Sequence, residues 1–328
     1  SAEMRCFMVQ LMLLVLTGGP ALAASQDAYE LPEPYAGLEK AYLKEFPKLQ
    51  ELMDVMVATI AGQMKSPAQD ILHIRVCSAL AYKMALDLKL SREERMLSVV
   101  TDLLHDISKQ DKKALLTDPV LFVQSAEMTA ALRKAGFLKG SERFWTDEKI
   151  LRSPAVGGNL ALIHHITGAL QAGEIMKKNG FASSEVLAVQ AAILGHSTGY
   201  WYFRDMVDKA AGYKDAWQAV FPEPVGNIAL FAHDADLISQ FVPESVVPDA
   251  SKWRLIAKNR WGAKTTADEA HVVYYVFFRL YEEAKTAPGK QLAREKWDII
   301  RPQLITLMGL QAADDPVNAI GIPGAFRK

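Results

Sequence analysis

The sequence predicts an all-α chain, and three observations carry that expectation. Apolar residues recur at helical spacing through most of the 328 positions, and no run alternates as a half-buried strand would. Two capping-box patterns, Ser91-Arg-Glu-Glu94 and Thr266-Ala-Asp-Glu269, stand directly before apolar runs. A formal net charge of −1, with 50% hydrophobic and 23% charged residues, excludes a disordered or rod-like chain. The same balance gives no electrostatic reason to expect nucleic acid as a partner. Cys6 and Cys77 are the two cysteines, far apart, so neither a disulfide framework nor a thiolate metal site is expected.

Taken in order, Met4-Arg5, the apolar residues 6–16, the breaker Thr17-Gly-Gly-Pro20 and the small-x-small Ala21-Leu22-Ala23 read as a secretory signal. Residues 1–25 are therefore expected to be signal peptide and cleavage region, cut after about Ala23. That apolar stretch is too short for the roughly 20 residues a spanning helix needs. The mature chain is expected in a periplasm or outside the cell, without stable membrane insertion. Residues 26–64 read as an N-terminal arm and helix, the arm being the polar segment 26–40 around Leu31-Pro-Glu-Pro34.

The Ser91 box opens a helix running through residues 96–104 into His105. Asn159 can cap a helix carrying Leu160, Ile163, Ala169 and Ile175, stopped at Gly180. Ser184 is the expected cap of the next helix, whose Val186, Val189, Ile193 and Leu194 face the core. The Thr266 box opens a helix that Pro288-Gly289 ends, and a last helix runs through Leu292 to Leu307. Two stretches look less regular. One is 110–158; the other is 198–226, where Tyr200, Trp201, Tyr202, Phe203, Trp217 and Phe221 could stack a base, although core packing is the ordinary fate of such rings.

Most of the seven histidines sit in apolar helical contexts: Leu72-His73-Ile74, Leu104-His105-Asp106, Ile163-His164-His165 and Gly195-His196. His233-Asp234-Ala-Asp236 continues the series. An unpaired imidazole or carboxylate inside a helical core costs several kcal/mol, of the order quoted for buried polar groups, and a shared cation removes that cost. Neutral imidazole and carboxylate suit first-row metals. Adjacent helical residues point about 100° apart, so His105 and Asp106 can serve two ions only if the carboxylate bridges or the helix ends there. Lys109, one turn beyond Asp106, can bring an ammonium to a phosphate, and Arg75 offers a second cation.

The ordered set His73, His105-Asp106, His164, His196 and Asp236 resembles the HD-domain metal-dependent phosphohydrolase superfamily over roughly residues 70–240. Leu-Leu-His105-Asp106-Ile-Ser108-Lys109 is similar to that family's His-Asp-Ile-Gly-Lys signature, with Ser108 in place of Gly. His164-His-Ile-Thr-Gly-Ala169 matches a His followed by Gly-Ala, and Gly195-His196-Ser-Thr-Gly looks like a later His element of the diadenosine-polyphosphate hydrolase branch. Thr286-Ala-Pro-Gly-Lys-Gln-Leu-Ala293 resembles a C-terminal helix start in some nucleotide-hydrolysing members. Three departures stand out. Arg75-Val76 lies one residue closer to His73 than the family has it, His165 competes with His164, and His233 or Asp234 competes with Asp236. Gly199-Tyr200-Trp201 is not the Gly-Tyr-Pro motif of relatives that cleave cyclic dinucleotides, which disfavours that subgroup.

The resemblance implies an HD-domain-like helical bundle over 65–245, with additional C-terminal helices over 246–328 packed on the same domain. It implies two divalent ions, iron or manganese foremost with zinc, magnesium or nickel compatible, held by His73, His105, Asp106, His164, His196 and Asp236. Asp106 would bridge, and Asp106 and Lys109 would be the catalytic residues. The implied reaction is hydrolysis of a small phosphate ester or anhydride, a nucleotide among them, by a metal-activated water. Two alternatives share the pattern: an HD-fold di-iron oxygenase that cleaves a C–C or C–P bond, and a non-catalytic metal-binding sensor or scaffold.

Overall fold

Capping residues and chain breakers set the helix boundaries in this chain, and the centre described below depends on where two of those helices stop. The computed structural model describes residues 30–63, 67–138, 147–240 and 251–327. Among these residues the fold is all-α, with 14 α-helices and no strand. The expected signal peptide lies outside the described residues. No described helix is long and apolar enough to cross a membrane.

Helices α1 (Tyr35–Glu45) and α2 (Leu49–Gln63) precede the long α3 (Ala68–Asp87). Helix thus begins inside the segment expected as an arm, because Tyr35, Glu39 and Tyr42 share one buried face. The Ser91 box forms as expected. The Ser91 hydroxyl accepts from the Glu94 amide at 3.2 Å while Glu94 accepts from the Ser91 amide at 3.2 Å, opening α4 (Arg92–Leu104). The stretch expected to be irregular contains the 16-residue α5 (Pro119–Lys134), and the short α6 (Glu148–Leu151) follows. Asp118-Pro119 is a start signal there, a side-chain cap followed by proline in the first turn, and not a breaker.

Asn159 caps α7 (Leu160–Lys178) through the Ala161 amide at 3.1 Å, and Gly180 beyond its end takes φ +76°. α8 (Ser183–His196) starts before the expected cap: Ala182 precedes it, and Glu185 accepts from the Ala182 amide at 2.8 Å. Ser184 therefore lies inside the first turn. Next come α9 (Trp201–Ala211), inside the aromatic segment, α10 (Asn227–Ser239) and α11 (Ser251–Trp261). The box of α12 (Thr266–Glu282) is made by Thr265 and Asp268, one residue earlier than expected. Pro288-Gly289 does not end α12; it sits in the first turn of α13 (Ala287–Leu307), capped by Thr286, and α14 (Pro316–Ile320) closes the series.

Two apolar cores result. The first gathers Tyr42, Leu52, Met56, Leu103, Leu104, Ile163, Ile166, Ile193 and Leu194 from α1, α2, α4, α7 and α8. The second gathers Leu80, Phe231, Leu237, Val273, Phe277 and Trp297 from α3, α10, α12 and α13, so the C-terminal helices share a core with α3 and α10. α3 belongs to both, giving Ile71 and Ile74 to one and Leu72 and Val76 to the other, with His73 between. Leu103 and Leu104 are fully buried. At about 1.5–3 kcal/mol for each such side chain, their burial fixes the last turn of α4 against its neighbours.

Candidate metal centre

α4 stops at Leu104, and residues 105–110 form tight turns in which the Ile107 amide bonds the Leu104 carbonyl at 3.1 Å and the Lys109 amide the Asp106 carbonyl at 3.0 Å. His105 keeps helical dihedrals at this end (φ −59°, ψ −35°), and both it and Asp106 are buried. Ser108, where the resembled family has Gly, ties this turn to α7, its hydroxyl lying 2.7 Å from that of Thr167 and donating to the His164 carbonyl at 3.2 Å. Gly168 permits the approach, since a Cβ there would stand 3.1 Å from the His105 carbonyl oxygen.

Around this turn the fold brings His73 of α3, His164 of α7, His196 at the end of α8 and Asp236 of α10. The two oxygens of Asp106 face different partners. Oδ2 lies 3.5 Å from His73 Nε2, 3.6 Å from His105 Nε2 and 2.7 Å from Lys109 Nζ. Oδ1 lies 3.4 Å from His164 Nε2 and 4.0 Å from His196 Nε2. Asp236 Oδ1 stands 3.2 Å from His73 Nε2 and 3.8 Å from His105 Nε2. All six expected metal ligands therefore converge and are buried, and Lys109 stands at the edge with its side chain 38% exposed.

The far nitrogens of these rings decide what the near ones offer. Nδ1 of His105 donates to the Asp102 carbonyl at 2.6 Å, that of His196 to the Ile193 carbonyl at 2.6 Å, and that of His164 to the Leu160 carbonyl at 3.2 Å. The Ser239 hydroxyl donates to the Asp236 carbonyl at 2.6 Å, so at 3.2 Å it accepts from His73 Nδ1. A carbonyl can only accept, so each Nδ1 carries a proton and each Nε2 turns a lone pair, or a second proton, toward the carboxylates. This backing of the ring is the support that metal-ligating histidines usually have.

Electrostatics divides the cluster. Burial would lower His73 and His105, but Cys77 and the carboxylates outweigh it, holding His73 well above its ordinary value and pushing His105 up to about 10. Burial instead prevails at His164 and His196, and neighbouring imidazoles add to it; both are lowered. Burial opposes the charge on Asp106, yet Lys109, His105 and His73 hold its carboxyl well below the usual range. His164 Nε2 and His196 Nε2 are 3.2 Å apart, two lone pairs facing each other. The Ser197 hydroxyl, 3.4 Å from His164 Nε2 and 3.0 Å from His196 Nε2, has one proton for two acceptors. His105 Nε2 is fully buried without a hydrogen-bond partner. A cation satisfies these donors together, and the imidazole and carboxylate set suits a first-row divalent ion. The buried His, Asp and Cys groups can hold a metal ion.

The competing residues His165, His233 and Asp234 are engaged elsewhere. His165 Nε2 bonds the Val220 carbonyl at 2.9 Å and its ring stacks on Phe221, while burial and then His164 push it down to about 3. Asp234 accepts from the Lys285 and Thr286 amides, the Thr286 hydroxyl and His233 Nδ1, which makes it an anchor for the start of α13. Arg75, expected as a possible phosphate holder, is engaged through two nitrogens by Glu39. The rings of 200–221 mostly pack on one another, Tyr200 on Phe203 and Phe203 on Phe221.

Sequence reasoning missed four contributors. Tyr200 donates to Asp236 Oδ2 at 2.5 Å, and Ser239 holds His73. Asp102 is fully buried with neither oxygen hydrogen-bonded, and burial raises its carboxyl well above the ordinary range. The fourth is Cys77: the sequence predicts no thiolate metal site, yet its Sγ lies 3.7 Å from His73 Nε2, within a buried group that could hold a metal ion. Cys77 follows His73 by four residues on a helix, which was a readable signal. No family model, curated protein or solved structure matches the chain.

Proposed function

We propose that the chain is a metal-dependent phosphohydrolase of the HD-domain type, acting on a small phosphate ester or anhydride such as a nucleotide. The observation that carries this reading is the two-sided Asp106 carboxylate, with His73 and His105 at one oxygen and His164 and His196 at the other. His73, His105, Asp236 and Asp106 Oδ2 would hold one divalent ion, and Asp106 Oδ1, His164 and His196 a second, iron or manganese foremost. Bound there, such ions supply an activated water and neutralise charge on phosphoryl oxygens.

The chain's own groups do the rest. Lys109 spends one of its three donors on Asp106 and, being part exposed, offers the others to a phosphate oxygen at the mouth of the centre. Tyr200 fixes Asp236 Oδ2, which leaves Oδ1 turned to the imidazoles. Asp102 and Ser239 sit behind His105 and His73 and keep those rings in place.

Metal analysis of protein purified without added metal, followed by a panel of phosphomonoesters, phosphodiesters and nucleotides, tests the reading. Bound divalent metal, and phosphate release that disappears in His105→Ala, are expected. Release unchanged in that variant overturns the assignment. Oxygen consumption by a two-iron form that releases no phosphate would move the reading to an oxygenase.

A further inference from the structure

We propose that Cys77 supplies a thiolate ligand to one of the two ion positions, adding a sulfur donor to His73, His105, Asp236 and Asp106 Oδ2. This rests on the presence of a metal centre, not on the reaction assigned to it.

One ligand atom from each of the buried residues Cys77, His73, His105 and Asp236 lies within 4.8 Å of the others. Sγ is 3.7 Å from His73 Nε2, which is 3.2 Å from Asp236 Oδ1, which in turn is 3.8 Å from His105 Nε2. Nitrogen, oxygen and sulfur donors about one divalent ion stand roughly 3.3–3.6 Å apart in a tetrahedral shell and closer in a larger one, so these three separations lie near that range. An independent observation points to the same ligand: His105 Nε2 is fully buried, faces this group and has no hydrogen-bond partner. Cys77 also backs onto the second apolar core, where an alanine or valine would pack as well, but neither would offer a donor to the imidazoles. His73 and Cys77 follow each other by one helical turn of α3, so a single rigid element presents both.

The consequence is chemical asymmetry. The position shared by His73, Cys77, His105 and Asp236 has a soft donor and favours zinc, cobalt or ferrous iron over magnesium. The position shared by Asp106, His164 and His196 has only nitrogen and oxygen.

Cobalt(II) titration of the full metal-free chain, followed by absorbance, tests this. A thiolate-to-cobalt charge-transfer band in the near ultraviolet is expected to saturate with the first equivalent. Cys77→Ser should lose the band and weaken that first site by more than the roughly tenfold to hundredfold that outer-shell changes cost. Cys6→Ser and His164→Ala should keep the band, which excludes the other thiol and the second position as its source. If Cys77→Ser fails to fold, the wild-type spectrum remains decisive. Cobalt bound with visible bands but no charge-transfer band overturns the thiolate ligand and leaves the metal centre standing. No cobalt uptake at all overturns both.

Discussion

His105-Asp106 and His233-Asp234 are the same dipeptide in the same kind of buried helical setting, and the fold puts them to different uses. The first lies where α4 ends, and its carboxylate looks two ways, toward separate pairs of imidazoles. The second lies in the middle of α10, and its carboxylate collects amide and hydroxyl protons from the start of α13. The pairing inside each doublet differs accordingly. His233 Nδ1 bonds Asp234 directly at 2.9 Å, whereas His105 turns Nδ1 away to a backbone carbonyl and leaves Nε2 bare. The Asp234 carboxylate finds its donors within the fold, whereas Asp106 Oδ1 faces the Nε2 lone pairs of His164 and His196, which a cation between them would reconcile.

The largest expected effect breaks the first doublet. Asp106→Asn should reduce bound metal below one equivalent and slow phosphate release by about 1,000-fold or more, some 4 kcal/mol of barrier, read by elemental analysis and turnover. Breaking the second should do the reverse. Asp234→Ala should cost about 3 kcal/mol of stability in urea denaturation, because it strands buried donors at the start of α13, while metal content stays unchanged. Loss of metal in Asp234→Ala would erase the distinction.

Smaller effects sharpen the contrast. Lys109→Ala should retain metal and lower kcat/KM by roughly tenfold to hundredfold, the scale of one charge-assisted hydrogen bond. For Asp234 the pH dependence has a definite sign. Burial raises its carboxyl, but His233, Thr286 and the Lys285 amide outweigh it, so the folded value lies below the ordinary one. Its stabilisation is therefore complete above the unfolded value of about 3.9 and is lost as pH falls through the folded one. The stability gap between the native chain and Asp234→Asn should be flat above about pH 5 and narrow below about pH 4. A gap that stays constant into acid would mean that the charge on Asp234 contributes nothing.

Much of the helical architecture was legible in the sequence, because the Ser91 box, the Asn159 cap and the Gly180 stop are local signals that tertiary contacts did not override. The misses were local too. Thr265 and Thr266 are adjacent cap candidates, and Asp118-Pro119 opens a helix by the same chemistry that elsewhere breaks one. At the centre, the histidines and Asp236 stood out as polar residues in apolar runs. Cys77, Tyr200 and Ser239 did not, since thiols, tyrosines and serines are unremarkable in a core and gain meaning only from what the fold sets beside them.

The donors belong to segments that start with α3 and finish with α10, and no shorter stretch of chain contains them all. A full complement of ions would therefore mark the end point of folding: it would be retained only by a molecule in which all five of these segments have already met. Stripping it with a chelator withdraws support from all five junctions at once, so thermal midpoint and metal occupancy should fall together.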